Sequence, residues 1–554
     1  MRSFLTPILG LFFFLAACAS EPRTGPDAGV GLLEEVAAAM GGWETLESIE
    51  REEIQTRGAA WEPHQAPFPG GVLEIASFDQ NIRIDYSGPS MRLEFNGERS
   101  YPLPGPVGFV EVIDGNVGAL LEPLSPENDE PTGGTETDED APAGERMQGS
   151  RVAARLRDIR RMPARIALVA RESEELTRAL DRSVDGTTYQ VLEYHDGMNP
   201  VELLVSPTSK LPVRVIVLET DPLYGDTHNE LIFDDWRPTR LDAARTGGAA
   251  EVPIPYRRTV YLNGDRLREE EVLEVALNPV FDAGVFDIPA PVRNSPEPGD
   301  RVTSDATIRR AIMGFGPLPG FGELPEVASL ESVAPGVWLA GGGSHNSLII
   351  EMNDHLIVAG TPLFNERSIG VIEALNVRFP EKPVRYAIVS HFHGDHSGGV
   401  RAYAGLGARI VAHESIAPFL EVVLSRPRTI RPDALSRLDQ AATIQRVGEY
   451  FEITDGARTV EVRHVPNEHA NGMLMTYVPE ERVVFVSDLY SPPNPVDASD
   501  ANARAFFDAI VESNLDVETI VGAHGSTGPF SVLAQIMGAR DTAPNGADDA
   551  SVRE

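Results

Sequence analysis

The sequence predicts an α+β protein of two domains, a mainly antiparallel β-sheet domain followed by a domain of alternating strands and helices built around a histidine-rich loop. Three observations carry that reading. A chain of 554 residues is too long for one hydrophobic core. Between Ser48 and Ala276, short β-like runs alternate with turn signals such as Asn263-Gly264. From about Gly336 onwards strands and helical stretches alternate, and His391-Phe392-His393-Gly394-Asp395-His396 follows the end of one strand.

The first residues read as an address. Arg2 precedes an apolar run from Phe4 to Leu15, too short to anchor a chain across a bilayer. The run ends in Leu15-Ala16-Ala17-Cys18, which resembles the lipobox of bacterial lipoproteins. The resemblance implies a signal peptide over residues 1–17, lipidation of Cys18, and a tether over 18–30. No Asp follows Cys18, which by the same resemblance directs the protein to an outer membrane, lipid-anchored and facing the periplasm. An ordinary secretory signal cleaved near Ala19 is the alternative. Cys18 is the only cysteine, so the folded part is expected to hold no disulfide and no thiolate ligand.

The N-terminal domain is expected over residues 31–290. Leu32, Leu33, Val36 and Ala37 recur at helical spacing, and Gly41-Gly42 stops that helix. Strands are expected at Ser48–Arg57, Gly71–Ser77, Asn81–Tyr86 and Arg92–Asn96. Residues 125–149 are dense in Glu, Asp, Thr, Gly and Pro and read as a disordered acidic loop. Arg151 to Leu180 carries a helical apolar stripe interrupted near Pro163, and six further strands run from Thr188 to Ala276. Met40-Gly41-Gly42, Leu211-Pro212-Val213-Arg214 and the ending Phe281–Pro289 are similar to the curved sheet of outer-membrane lipoprotein carriers. This half shows no ionisable cluster with catalytic spacing.

A Pro-containing linker is expected over 291–330, the second domain over 331–538 and a disordered tail over 539–554. Gly336-Val337-Trp338-Leu339 starts its first strand, and Arg367–Arg378 is helical. Pro383–Val389 is a buried strand, and because strand side chains alternate, His391 and His393 are able to point one way while Phe392 turns inward. Three histidines and a carboxylate within six residues form an N/O donor set that suits zinc or a similar divalent ion.

That loop resembles the signature of the metallo-beta-lactamase superfamily of hydrolases, which implies an αββα sandwich and two metals. Pro466–Gly472 with His469, the strand ending at Asp488, and Gly522-Ala523-His524-Gly525 resemble the family's later motifs in order. The resemblance implies that His391, His393 and His469 bind one metal, that Asp395, His396 and His524 bind the other, and that Asp488 bridges them. Two divalent ions, expected to be zinc, would activate water, and Asp395 would also orient it and carry the proton. His464 competes with His469, His413 is expected to be structural, and His345 and Tyr490 are candidate substrate contacts. The family's usual Asp before the first helix is Gly360 here.

These residues imply a metal-dependent hydrolase of an ester, lactone, lactam or similar small-molecule bond. An envelope lipoprotein that carries a lipid or other ligand beside a vestigial metal domain, or an iron-dependent oxygenase on the same fold, are the alternatives. The net charge of −37 argues against nucleic acid as a partner.

Overall fold

The computed structural model describes residues 24–538, apart from 63–64, 72, 102–103, 123–143, 148, 222, 242–249, 297–327, 342–343 and 439–440. The expected signal peptide with Cys18, most of the acidic loop and linker, and the tail therefore lie outside the described residues. Among the described residues, no helix is long and apolar enough to cross a membrane.

Among the described residues the N-terminal domain forms one 14-stranded sheet, antiparallel apart from a single parallel pairing, Leu241 beside Leu277. Helix Pro26–Ala39 starts within the expected tether, with proline at its first turn where the missing N–H costs nothing. Its Leu32, Leu33 and Val36 pack with Leu192, Leu203 and Val217 of the sheet. The stretch Asn81–Tyr86 is not a separate strand; one strand, Glu74–Asp85, runs through. Gly105–Asp114 and Val117–Glu122 add strands that periodicity did not mark, since Pro106, Gly108 and Gly118 interrupt the apolar alternation.

The interrupted helical stretch forms two helices, Gly149–Arg160 and Pro163–Glu172. Val152, Ile159 and Met162 seal the sheet face built by Phe78, Leu93 and Phe95. This seal also contains charge. Glu111 is fully buried, accepts from Arg155 Nε at 2.6 Å, and pairs with Arg151. Burial pushes the Glu111 carboxyl up, but Arg151 and Arg155 outweigh it and hold it at about 2. A depressed carboxylate pKa contributes stability above its unfolded value, and that contribution is lost as pH falls from about 4.5 towards 2. Glu111→Gln removes the charge that pairs with the buried Arg155 and the half-buried Arg151 and is expected to cost about 3 kcal/mol at neutral pH, with a smaller penalty near pH 3. Urea denaturation of both proteins at the two pH values checks this.

The C-terminal domain has a seven-stranded sheet, Ser329 to Val447, and a six-stranded one, Tyr450 to Pro529. Val337, Leu348, Ile350 and Ile357 of the first meet Val460, Leu474, Val483 and Phe485 of the second in one apolar layer. On the outer faces, helix Asn365–Arg378 buries Val371 and Leu375, and helix Ala501–Glu512 buries Phe506 and Ile510. The order is αββα. Helix Ala501–Glu512, with its Asp500 cap, and helix Phe530–Gly538 were not marked by the sequence reading.

Candidate metal centre

In the first sheet, strand Val384–Ile388 lies between parallel strands Leu356–Ala359 and Arg409–His413. A parallel ladder brings successive strand ends to one edge, and the histidine loop leaves from that edge. The loop turns at once into the short helix Gly394–Ser397. Gly398 and Gly399 let this turn press against the preceding loop. A Cβ at Gly398 would lie 1.9 Å from the Leu363 carbonyl, and one at Gly399 2.2 Å from Ser368 Oγ. The second sheet delivers the rest: His469 precedes strand Leu474–Val478, Asp488 follows strand Val483–Val486, and His524 follows strand Thr519–Gly522.

Two groups of donor atoms result. His391, His393, His469 and Asp488 form one; His345, Asp395, His396 and His524 form the other, and within each the donor atoms lie within 4.8 Å of one another. Asp488 stands between them. Its Oδ1 is 2.7 Å from His396 Nε2 and 3.1 Å from His524 Nε2, while Oδ2 is 2.9 Å from His469 Nε2 and 3.5 Å from His391 Nε2.

The donor set fits a pair of divalent cations. His391 Nε2, His393 Nδ1, His469 Nε2 and His345 Nε2 are buried with no hydrogen-bond partner. Although His469 Nε2 is close to Asp488, it makes no hydrogen bond there. Buried imidazole nitrogens without partners are costly unless a ligand meets them. Burial holds His391 at about 4 and His345 at about 3, and pushes His393 well below the usual histidine range, so these rings are neutral at pH 7 and carry lone pairs. Burial alone would raise Asp395, but His396 and His345 outweigh it and keep it ionised.

The nitrogens facing away from the centre are held by other groups. Ser487 Oγ lies 3.0 Å from His396 Nδ1 and 3.5 Å from His391 Nδ1, and Ser390 Oγ lies 3.3 Å from His391 Nδ1. Ser487 and Ser390 thus supply the hydroxyls that meet these ring nitrogens. Gly360 itself has φ +89°, and a Cβ there would meet the Phe485 ring at 3.0 Å.

His345, expected at the mouth as a substrate contact, is completely buried in the second group, its Nε2 3.6 Å from Asp395 Oδ2. Asn346 places it: the Asn346 N–H donates to the Ala523 carbonyl at 2.7 Å, and its amide donates to the Gly522 and Gly525 carbonyls. His345→Ala is expected to weaken retention of one ion and spare the other, which a chelator titration resolves. His464 is outside both groups; its ring stacks on His413 at 4.3 Å. Tyr490 is buried in an apolar cluster separate from the layer between the two sheets, with burial raising its phenol. Ser487, Gln65 and Tyr101 are site residues the sequence reading missed. Ser487 adjoins a ligand and was within reach of inference; the other two were not.

The family model described as "Metallo-beta-lactamase superfamily" matches residues 340–524. The 2,4-dinitroanisole O-demethylase subunit alpha of Nocardioides sp. (strain JS1661) is 30% identical over 173 residues, 31% of this chain and 49% of that protein. The chain thus spans about half the length of that curated relative. Among solved structures, a metallo-beta-lactamase from Pontibacter korlensis is 16% identical with a TM-score of 0.31, over 39% of this chain and 100% of its own. The FIM-1 metallo-beta-lactamase from Pseudomonas aeruginosa, in its mono-zinc form, is 19% identical with a TM-score of 0.30, over 40% of this chain and 98% of its own. Every donor residue, from His345 to His524, falls inside the matched segment, and the layers around it are αββα; the C-terminal domain belongs to the metallo-beta-lactamase superfamily.

Proposed function

We propose that the protein is a metal-dependent hydrolase with two divalent ions, most simply zinc, acting on an ester, lactone, lactam or similar bond of a small molecule. The observation that carries this is the pair of buried donor groups sharing Asp488, with unpartnered imidazole nitrogens in both. When bound, the ions supply a water of lowered pKa and polarise the scissile bond. The chain's own residues do the rest. His391, His393 and His469 fix one position, and His345, Asp395, His396 and His524 the other. Asp395 orients the attacking water and passes its proton to the leaving group.

A vestigial centre would be expected to have lost donors, and this one has a full set. The carrier alternative finds little room in the N-terminal sheet, where the cavity lined by Ile82, Ile84, Leu93, Arg155, Asp158 and Arg268 is about 20 Å³. That is space for about one water, and the charged lining suits an apolar cargo poorly. An iron centre keeps the same ligands and differs in the metal recovered.

The test is metal analysis of the purified protein, followed by a hydrolysis screen with and without added zinc or manganese. The panel covers β-lactams, lactones, aryl esters, phosphodiesters and, given the named relative, an aryl methyl ether. Two equivalents of zinc with metal-dependent turnover supports the reading. Iron with oxygen consumption, or no turnover on any substrate at full metal loading, defeats it.

We also propose that the protein is lipid-anchored through Cys18 at an outer membrane, facing the periplasm. The support is the sequence pattern at Leu15–Cys18. Cys18→Ser is expected to move the protein out of the membrane fraction or stall its processing, with metal content unchanged; an unchanged membrane fraction would mean another anchor.

A further inference from the structure

We propose that the N-terminal domain completes the metal centre, with Gln65 as a positioning residue for Asp395; this rests on the metal-centre reading above. The contacts come from a loop about 330 residues away in the chain. Gln65 is almost fully buried, and its Nε2 donates to Asp395 Oδ1 at 2.7 Å. The other oxygen, Oδ2, is the one that faces His345 Nε2 and His396 Nε2, at 3.6 and 3.7 Å. A carboxylate tied by one oxygen cannot swing the other away, so Gln65 fixes the direction in which Asp395 presents its ligand atom.

The next residue acts on the first group. The Ala66 carbonyl lies 2.9 Å from His393 Nε2. A carbonyl only accepts, so Nε2 carries the proton and Nδ1 carries the lone pair. Nδ1 is the buried, unpartnered nitrogen of that ring. Backbone of the N-terminal domain thereby sets the tautomer that a metal requires. Tyr101, from the same domain, donates its hydroxyl to the His469 carbonyl, and its ring stacks on the His469 ring at 5.9 Å. The Asn471 N–H donates to the Pro67 carbonyl at 2.7 Å, closing the loop onto the His469 turn.

Ala66 takes the His393 nitrogen that does not join the donor group, Tyr101 takes a backbone carbonyl, and Gln65 takes the Asp395 oxygen that does not face His345 and His396. A second set of interdomain bonds lies apart from the centre and provides a control. Asp226 Oδ2 accepts from the Thr429 N–H and hydroxyl at 2.7 and 2.6 Å.

The experiment uses the full chain and reads metal affinity by zinc competition with a chromophoric chelator, alongside the melting temperature. Gln65→Ala is expected to weaken one of the two ions about 10–100-fold and leave the other unchanged. Gln65→Glu keeps the size, replaces the donor by a second carboxylate, and is expected to lose at least as much; it covers the case in which the alanine variant does not fold. Asp226→Ala, which loosens the domain contact elsewhere, is expected to leave both affinities unchanged. Equal weakening by Asp226→Ala would reduce the effect to domain docking and overturn the positioning role. Unchanged or tighter zinc binding in both Gln65 variants would overturn it too, the tighter case marking the loop as a plug. A wild-type chain that takes up no zinc would defeat the metal-centre reading along with this one.

Discussion

Asp488→Asn is expected to release both ions together and to lower turnover by at least about 10³-fold, equivalent to about 4 kcal/mol of transition-state stabilisation. Asp488 offers one oxygen to each donor group, at 2.7 Å from His396 and 2.9 Å from His469. An asparagine keeps the shape but has only one acceptor atom. Whichever group receives the amide NH₂ then faces a donor where it needs a lone pair, and both groups lose the negative charge. His396, His391 and His469 remain, so a chain that folds normally should bind metal weakly and without the shared stoichiometry. Metal content after dialysis, with turnover measured across a zinc titration, checks this. Loss of one ion with an unchanged rate would mean that the two groups do not share Asp488.

The second large effect separates a ligand from a proton carrier. His469→Ala removes a neutral donor, so added zinc is expected to restore much of its activity by mass action. Asp395→Asn removes the charge and the base, and is expected to lose about 10²–10³-fold in kcat with little rescue at any zinc concentration. The structure sharpens this expectation, because Asp395 Oδ1 already accepts from Gln65. An asparagine would have to oppose its NH₂ either to the Gln65 amide or to the second donor group, and both arrangements disturb the centre. Near-normal turnover by Asp395→Asn with both ions bound would remove the proton role and leave Asp395 as a ligand only. His464→Ala serves as the control: its ring stacks on His413, outside both groups, and its metal content should match that of the wild type.

How much of this was legible beforehand differs between the two halves. In the C-terminal domain the ligands sit on or beside strand ends, and an apolar run followed by His, Asp or Gly marks such an end locally. His391, His393, Asp395 and His396 were therefore readable from their own loop, and His469, Asp488 and His524 through their resemblance to the family's later motifs; the structure brings all seven into the two donor groups. Strand Gly105–Asp114 and helix Ala501–Glu512 were not readable. Glycine and proline broke the alternation of the first, and the second was passed over despite Phe506 and Ile510 on its buried face.

The sequence by itself determined the donor chemistry and the position of the metal loop, because these depend on side-chain type and on periodicities of a few residues, whereas the αββα order came only through the family resemblance of its motifs. Only the tertiary structure decided that His345 joins the second donor group, since Asn346 must first meet the carbonyls at Gly522 and Gly525. It alone placed Ser487 and Ser390 against ring nitrogens of His396 and His391. It alone placed Gln65, Ala66 and Tyr101 against Asp395, His393 and His469. A glutamine and an alanine in a proline-rich loop carry no local mark of such a role. What selects them is the docking of one domain on the other, a contact between residues some 330 positions apart that no short-range pattern encodes.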